Sequence, residues 1–465
     1  MNILIIGAGR VGESVAESLV SERNDITMVD TDPQRLRQLQ DRLDLRTVVG
    51  NGIQPSVLRE AGAPDCDMLI ACAAQDEANL VVCKVAKAVF NVPTTIARIR
   101  SSEFETGSEL LGASGFAVDQ VICPEESVTT YVRKLIEYPE ALQVMEFAGG
   151  LVSLVAVRAV AGGPLVAHNL AELPKLVPEA DMRIVAIYRG DASIPCEGTT
   201  RIEPGDEVFV LTATAEVRRV LSTVRRMDRP VKRVMIAGGG KVGLRLSRQL
   251  KDSHQIKLIE TDSKRCEYLA SQLPVGVLVL HGDSTDEDLM EDENVRDMDL
   301  FVALTSDDED NIMACLLAKR LGARRVIALI NRRAYADLVQ GTQIDVAISP
   351  AQAVIGELLA HVRRGDVEAV HSLRRGAAEA LEAVARGDVK SSKVVGRRIE
   401  ELKFPKGVQV GAIVRGLHTE GQEPQVLMAH HDTLIEPNDH VIVFLPHKRM
   451  VRDVERQFQV SATFF

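Results

Sequence analysis

The segment Asn2–Gly12, NILIIGAGRVG, returns as Lys232–Gly243, KRVMIAGGGKVG. A chain that twice runs an apolar strand into G-x-G-x-x-G is constrained to build two strand–turn–helix units. In each triad, Gly7, Gly9, Gly12 and Gly238, Gly240, Gly243, the first glycine permits the tight turn. The second lets a pyrophosphate reach bare backbone, and the third lets helix and strand pack closely. The residues that open the following helix, Arg10 and Val11 or Lys241 and Val242, then aim backbone N–H groups at phosphate. Each copy also ends its second strand in a carboxylate, Asp30 in ITMVD and Glu260 in IKLIE, at the distance where such a group binds ribose hydroxyls.

The repeat extends far beyond the fingerprint. Gly7 and Gly238 stand 231 positions apart, Asp30 and Glu260 230, and Gly50 and Gly282 232. MLIACAAQDEANLVVCKVAK matches LFVALTSDDEDNIMACLLAK, aligning Asn79 with Asn311 and Lys87 with Lys319. A whole unit is duplicated. Periods of about 20 to 50 residues would mean a solenoid or propeller, so this longer one predicts tandem globular modules.

The 465 residues are enough for roughly three domains, or more if some are small. Apolar residues make up 46%, but Trp is absent and aromatics are 3%, so the core must be built from Val, Leu, Ile and Ala, which suits buried parallel strands. A net charge of −11 argues against a nucleic-acid partner, because affinity for a phosphate backbone comes from clustered Lys and Arg. Seven cysteines without a C-x-x-C pair fit reduced core thiols in a cytosolic protein. Met1 leads straight into the first strand, so a secretory leader is not expected. The most apolar stretch, Phe147–Val166, is broken by Arg158, Gly162, Gly163 and Pro164. It is too interrupted to span a bilayer, and any membrane role is expected to be peripheral.

Strand and helix signals alternate in the first module: Ile3–Ile6, a helix to about Glu22, Ile26–Asp30, a helix from Pro33, then Thr47–Val49. Met68–Ala71, a helix near Ala78–Phe90, Thr94–Arg98 and a last strand near Ala117–Ile122 follow. The fold class is therefore α/β, with two tandem Rossmann-like, doubly wound parallel sheets. Each is followed by a small α+β lobe. The expected domains are 1–140, 141–225, 231–365 and 366–458, with a joint at Arg226, Asp228, Arg229 and Pro230.

Within the small lobes Gly205-Asp206 aligns with Asn438-Asp439, and Arg189 with Arg415. Ala-rich Arg374–Asp388 reads as an insertion that can form a helix. After Pro124, Val128, Val132, Leu135 and Ile136 share one helix face, and Val354, Leu358, Leu359 and Val362 repeat it after Pro350. Both faces suit either docking or the covering of their own sheet.

Asp30 and Asp32, with Glu260 and Asp262, would repel the 2′-phosphate of NADP, whereas they suit NAD or an adenine nucleotide. Asn51 and Gly52, beside Gly50, and Asp283, beside Gly282, follow the third strands, where ligands of open sheets bind. Turn chemistry alone also accounts for them. Arg98 and Arg100 end the fifth strand, where the second copy has Leu329 and Asn331. Arginines there can hold a terminal phosphate, so that the first site tolerates a ligand such as ATP and the second prefers NAD or binds weakly, or else pair with acids at the sheet edge. The run Asp307–Asp310 reads as a capped helix start rather than a cation site. The histidines show no H-E-x-x-H spacing, so no metal is assigned.

A dehydrogenase needs a substrate domain with paired acid–base groups, and the small lobes fall short of one. No G-x-x-x-x-G-K-[ST] loop is present, and no closely spaced redox cysteines follow the first fingerprint. The chain resembles the TrkA-type regulatory subunits of bacterial Trk potassium uptake, tandem members of the RCK (KTN) family, over essentially its whole length. GAGRVGESVAESL with VDTD and VVGNG carries the likeness in the first half, and GGGKVGLRLSRQL with IETD and HGDSTD in the second. The small-lobe turn adds Ile194, Pro195, Thr199, Ile202, Gly205 and Asp206.

The resemblance implies a homotetrameric ring, peripheral at the cytoplasmic face of the inner membrane, that gates a Trk-type potassium-translocating membrane subunit. It implies that NAD or NADH, and ATP or ADP, are sensed rather than consumed. Ligand positions carried over are Gly7, Gly9, Gly12, Asp30, Asp32, Asn51, Arg98 and Arg100 in the first half. In the second they are Gly238, Gly240, Gly243, Glu260, Asp262 and Asp283. Leu329 and the looser turn of the last lobe depart from the pattern. The alternatives are a soluble NAD-dependent oxidoreductase and a redox-sensing regulator of another partner.

Overall fold

A computed structural model describes residues 1–20, 22, 24–101, 104, 109–166, 168–176, 181–190, 192–224, 230–339, 343–362, 366–373, 377–419, 421 and 423–460. The expected joint residues Arg226, Asp228 and Arg229 lie outside them.

The first sheet contains β1 (Asn2–Ile6), β2 (Asp25–Asp30), β3 (Arg46–Val49), β4 (Met68–Ala71), β5 (Thr94–Arg98) and β6 (Gln120–Ile122), all parallel in the order 3-2-1-4-5-6. The reversal between β1 and β4 opens the crevice where ligands of such sheets bind. The second sheet repeats the topology with β12 (Arg233–Ala237), β13 (Gln255–Glu260), β14 (Val277–His281), β15 (Leu300–Ala303), β16 (Val326–Leu329) and β17 (Val346–Ile348), in the order 14-13-12-15-16-17. Successive side chains alternate between faces, so Ile3 and Ile5 of β1 enter one core while Leu4 and Ile6 enter the opposite one.

The duplication holds at the level of single atoms. Asn79 accepts from Ala73 N at 2.8 Å and donates to the carbonyls of Ala73 and Arg98, lacing β4 to β5. Asn311 does the same with Thr305 and the Leu329 carbonyl. Lys87 pairs with Asp119 at 2.8 Å, and Lys319 with Asp345 at 2.7 Å.

The small lobes are antiparallel sheets of the same plan. β7 (Ala141–Phe147), β8 (Val152–Arg158), β9 (Met182–Arg189), β10 (Ala192–Ile194) and β11 (Glu207–Ala213) run in the order 10-9-11-8-7. β18 (Val367–Leu373), β19 (Ala378–Val384), β20 (Gln409–Arg415), β21 (Gln425–Met428) and β22 (His440–Leu445) run in the order 18-19-22-20-21. Arg189 grips buried Asp206 at 2.9 Å, and Arg415 grips buried Asp439 at 2.9 Å. Asn438 takes a positive φ of 65° where Gly205 has 93°, because Asn tolerates the left-handed region. The altered turn of the last lobe therefore keeps its geometry.

Ala378–Val384 is a strand rather than the expected helix. Every residue of it is buried, and β18 and β22 pair with it on either side. Tertiary burial on both faces overrides the helix preference of Ala and Glu. β6 is also shorter than expected, beginning at Gln120.

Neither apolar helix simply covers its own sheet. Val128, Val132, Leu135 and Ile136 of the helix Pro124–Glu137 share a core with Val234, Ile236 and Ile327 of the second sheet. Leu358, Leu359 and Val362 of Pro350–Val362 share one with Ile3, Ile5 and Ile70 of the first. Each helix crosses to the other half. Burying such a side chain contributes about 1.5–3 kcal/mol, so each half depends on a helix from its counterpart, packed against its own fingerprint helix, Arg10–Val20 or Lys241–Leu250. The small lobes meet as well, with Phe147, Leu154 and Phe209 against Ala380, Ala412 and Phe444 in a common core.

Candidate functional site

β1 runs into Gly7, whose φ of 104° and setting, where a Cβ would lie 2.9 Å from the Cys72–Ala73 backbone, admit no side chain. A Cβ on Gly12 would lie 1.9 Å from the Gly7 carbonyl oxygen, so strand and helix touch there. Gly9, by contrast, has open space where a Cβ would go. The helix Arg10–Val20 starts directly behind it, leaving its first N–H groups pointing out of the loop. Gly238, Gly243 and Gly240 repeat these three environments.

Asp30 accepts from Ala8 N at 2.6 Å and from Asp32 N at 2.9 Å, which fixes it beside the loop with lone pairs to spare for ribose hydroxyls. Asp32 caps the next helix through Gln34 N and Arg35 N. In the second half Glu260 accepts from Gly239 N at 2.8 Å and Asp262 N at 3.0 Å, and Asp262 caps Arg265 N. Arg265 Nε donates to the Gly239 carbonyl, lying over the loop. Asn51 and Asp283 each brace their own turn, accepting from Ile53 N and Thr285 N.

A cavity of 710 Å³ joins the two halves. Gly7, Gly9, Arg10, Val11, Asp30, Asn51, Gly52 and Arg98 line it from the first half, and Gly240, Lys241 and Val242 from the second. Gly12, Asp32, Arg100, Gly238, Gly243, Glu260, Asp262 and Asp283 are not among its lining residues. The two fingerprints thus meet around one space. Glycine spacing within each half predicts two separate sites and gives no ligand role to Arg35, Glu125 or Ser306, which also line the wall. Glu125, an acid in the first helical turn after Pro124, carried the visible signal for one of these.

Arg98, the last residue of β5, and Arg100, two residues beyond it, part company. Arg98 lines the cavity, where its guanidinium meets Glu125 at 2.6 Å and its buried Nε has no hydrogen-bond partner among the described residues. Arg100 pairs with Asp76 at 3.1 Å and also donates to the Ala74 carbonyl. Burial alone would raise the Asp76 pKa, but hydrogen bonds from Arg100 and Ser101 outweigh it and hold the acid below the ordinary value. Both arginines thus display the acid pairing, Arg98 at the cavity wall and Arg100 away from it.

Contacts at and beside the cavity tie the halves together. Arg10 donates to the Ser306 carbonyl at 3.2 Å. Arg245, on the helix of the second fingerprint, donates to the Arg100 carbonyl at 3.0 Å and to Cys123 Sγ at 3.1 Å, at the entrance to the crossing helix. Burial raises the Cys123 pKa despite that arginine. Among the described residues no group of three or more His, Cys, Asp or Glu is placed to hold a metal, and no helix is long and apolar enough to cross a membrane.

The TrkA-N domain family matches residues 3–124 and 234–350, and the TrkA-C domain family matches 154–225 and 388–459. The Trk system potassium uptake protein TrkA of Halomonas elongata is 53% identical over 465 residues, covering all of both chains. Those of Vibrio alginolyticus and Haemophilus influenzae are 51% and 45% identical, again over the whole of both chains. The crystal structure of the GsuK RCK domain aligns with a TM-score of 0.61 at 15% identity, over 98% of this chain and 94% of that one. The GsuK channel bound to NAD aligns with a TM-score of 0.60 at 16% identity, over 98% and 78%. These two likenesses speak to the fold.

Proposed function

The chain belongs to the TrkA family of Trk potassium uptake proteins, and from that premise we propose that it is the nucleotide-sensing subunit gating a Trk-type potassium-translocating membrane protein. The observation that carries this reading is the single cavity bounded by both glycine loops. A ligand between them touches both halves at once, so its presence changes how they pack. NAD or NADH and ATP or ADP are the ligands, with Asp30 holding ribose hydroxyls and the Gly9 loop receiving phosphate. Lys241 and Val242 close the cavity from the far side. A channel of the same fold has been solved with NAD, which supports the choice of dinucleotide.

Arg98 gives the ligand a mechanical consequence. A terminal phosphate competes with Glu125 for its guanidinium, and Glu125 opens the helix that crosses into the second half. Ligands that favour two arrangements of the halves unequally bias the gate by that difference, and equal affinity shifts nothing. Binding without turnover is the proposed activity. The protein acts as a homotetramer, peripheral at the cytoplasmic face of the inner membrane.

The test is calorimetric titration of the full chain with ATP, ADP, NAD and NADH, alongside co-purification with the membrane partner in their presence and absence. Saturable binding with nucleotide-dependent capture is expected. Sustained NADH oxidation with an added acceptor would instead favour an NAD-dependent oxidoreductase.

A further inference from the structure

The cavity of 710 Å³ is doubled in its phosphate-binding parts. Gly9, Arg10 and Val11 line it from one half, and Gly240, Lys241 and Val242, each 231 positions later, line it from the other. Each set opens a helix of its own, Arg10–Val20 or Lys241–Leu250, so two helix N-termini and two cationic side chains share one space. The backbone behind the loops is matched as well, with Gly7 against Cys72 and Ala73, and Gly238 against Leu304 and Thr305. We propose that this cavity takes a dinucleoside polyphosphate, one adenosine in each half and the phosphate chain running between the two glycine loops. The proposal rests on the reading of the cavity as a nucleotide site and names the ligand class that engages both fingerprints at once.

Both halves keep the group that receives a ribose. Asp30 accepts from Ala8 N and Asp32 N, and Glu260 accepts from Gly239 N and Asp262 N. Each carboxylate is fixed beside its loop with acceptor capacity left for hydroxyls, and each repels a phosphate placed against it. Nucleosides therefore belong at these two ends and phosphates between them. Arg10, Arg35, Arg98 and Lys241 are the cations of the wall, against Asp30 and Glu125. That leaves two positive charges, to which each helix end adds about half a charge. A pyrophosphate, as in NAD, answers part of this field. A chain of three or more phosphates answers all of it.

The second nucleoside end differs from the first by the posture of one side chain. Arg265 Nε donates to the Gly239 carbonyl at 2.8 Å, and its guanidinium lies 4.7 Å from the centre of the Tyr268 ring. Its counterpart Arg35 stands on the cavity wall beside Asp32 at 3.4 Å. With Arg265 over its loop, Glu260 is off the cavity wall, whereas Asp30 is on it. A second nucleoside displaces Arg265 from Gly239, and the guanidinium exchanges a neutral carbonyl for a charged phosphate oxygen, the stronger acceptor. The tether favours that exchange, because a nucleoside already anchored through its partner arrives at high effective concentration.

The test is calorimetric titration of the full chain, without membrane partner, with ADP, ATP and diadenosine tri-, tetra- and pentaphosphate. One diadenosine compound is expected to bind at one per chain and at least about 100-fold more tightly than ADP, with affinity peaking at a single chain length, as for a linker that spans two sites. Affinities no tighter than that of ATP, or indifferent to chain length, overturn the proposal and leave mononucleotide sensing in place. Failure of every compound to bind overturns both. Glu260→Gln keeps an acceptor for Gly239 N without the charge, and is expected to weaken the best diadenosine compound by about tenfold. Unchanged affinity overturns the placing of the second adenosine. Should that variant fail to fold, hydrogen exchange of the unaltered chain decides. The best compound is expected to slow exchange in both Gly7–Gly12 and Gly238–Gly243, and protection confined to one loop overturns the proposal.

Discussion

Arg98 and Glu125 form an ion pair of 2.6 Å across the cavity wall, with side chains 15% and 17% exposed. Arg98 ends a strand of the first half, and Glu125 begins the helix that packs into the second. Removing the competing carboxylate releases Arg98 for phosphate. Glu125→Gln is expected to bind ATP about tenfold more tightly while changing NAD affinity little, since a hydrogen bond to a charged group is worth about 1.5–3 kcal/mol. Arg98→Ala is expected to lose ATP affinity by a similar factor. Calorimetry checks both, and unchanged ATP affinity in both variants would remove Arg98 from the site.

The glycines of one fingerprint separate binding from folding. Gly9→Ala meets nothing within 4 Å, so it is expected to keep the melting temperature and lose nucleotide binding. Gly12→Ala drives a methyl to 1.9 Å from the Gly7 carbonyl oxygen, a clash expected to cost more than about 4 kcal/mol. Thermal unfolding and titration of the two variants would show the division, and equal losses of stability would contradict it.

The crossing helices make an unusual stability prediction. Leu135→Ala, in a wholly buried position, is expected to cost about 2–5 kcal/mol. Its effect on hydrogen exchange should fall on β12, β15 and β16 of the second sheet, with which it shares a core. Leu358→Ala should loosen β1 and β4 of the first. Loosening confined to the sheet of the same half would contradict the exchange of helices.

Asp206 predicts an acid response. Its burial alone would raise its pKa, but the Arg189 guanidinium and the Glu203 N–H outweigh it and hold the carboxyl below the ordinary range. A lowered carboxylate contributes stability above its unfolded value, which is lost as pH falls towards the folded one. Asp206→Asn is expected to cost about 1–3 kcal/mol at neutral pH, by weakening acceptance from Arg189 and Glu203 N. It should also flatten that acid limb of the stability profile. A parallel profile in the variant would place the acid response elsewhere.

The two sheets were legible because glycine spacing and strand patterning are local, and the 230–232-residue offsets align the copies residue by residue. Asp30 was legible for the same reason. The partner of Arg100 was not, because Asp76 lies 24 positions away and reaches it only through packing. An apolar face at Val128 and Val132 says that a helix is covered, but not by which sheet. Ala378–Val384 misled because its helix preference is intrinsic whereas its burial on both faces is tertiary. The shared cavity arises from the meeting of the halves, a relation no spacing within either half contains.

The central claim is that nucleotide held between the two fingerprints controls a potassium pathway. Potassium flux through vesicles containing the membrane partner, with this chain added and ATP, ADP, NAD or NADH varied, tests it most directly. The account predicts that flux depends on nucleotide with the unaltered chain and not with Gly9→Ala, although both remain folded. Flux indifferent to every nucleotide, or equally responsive with Gly9→Ala, would contradict it.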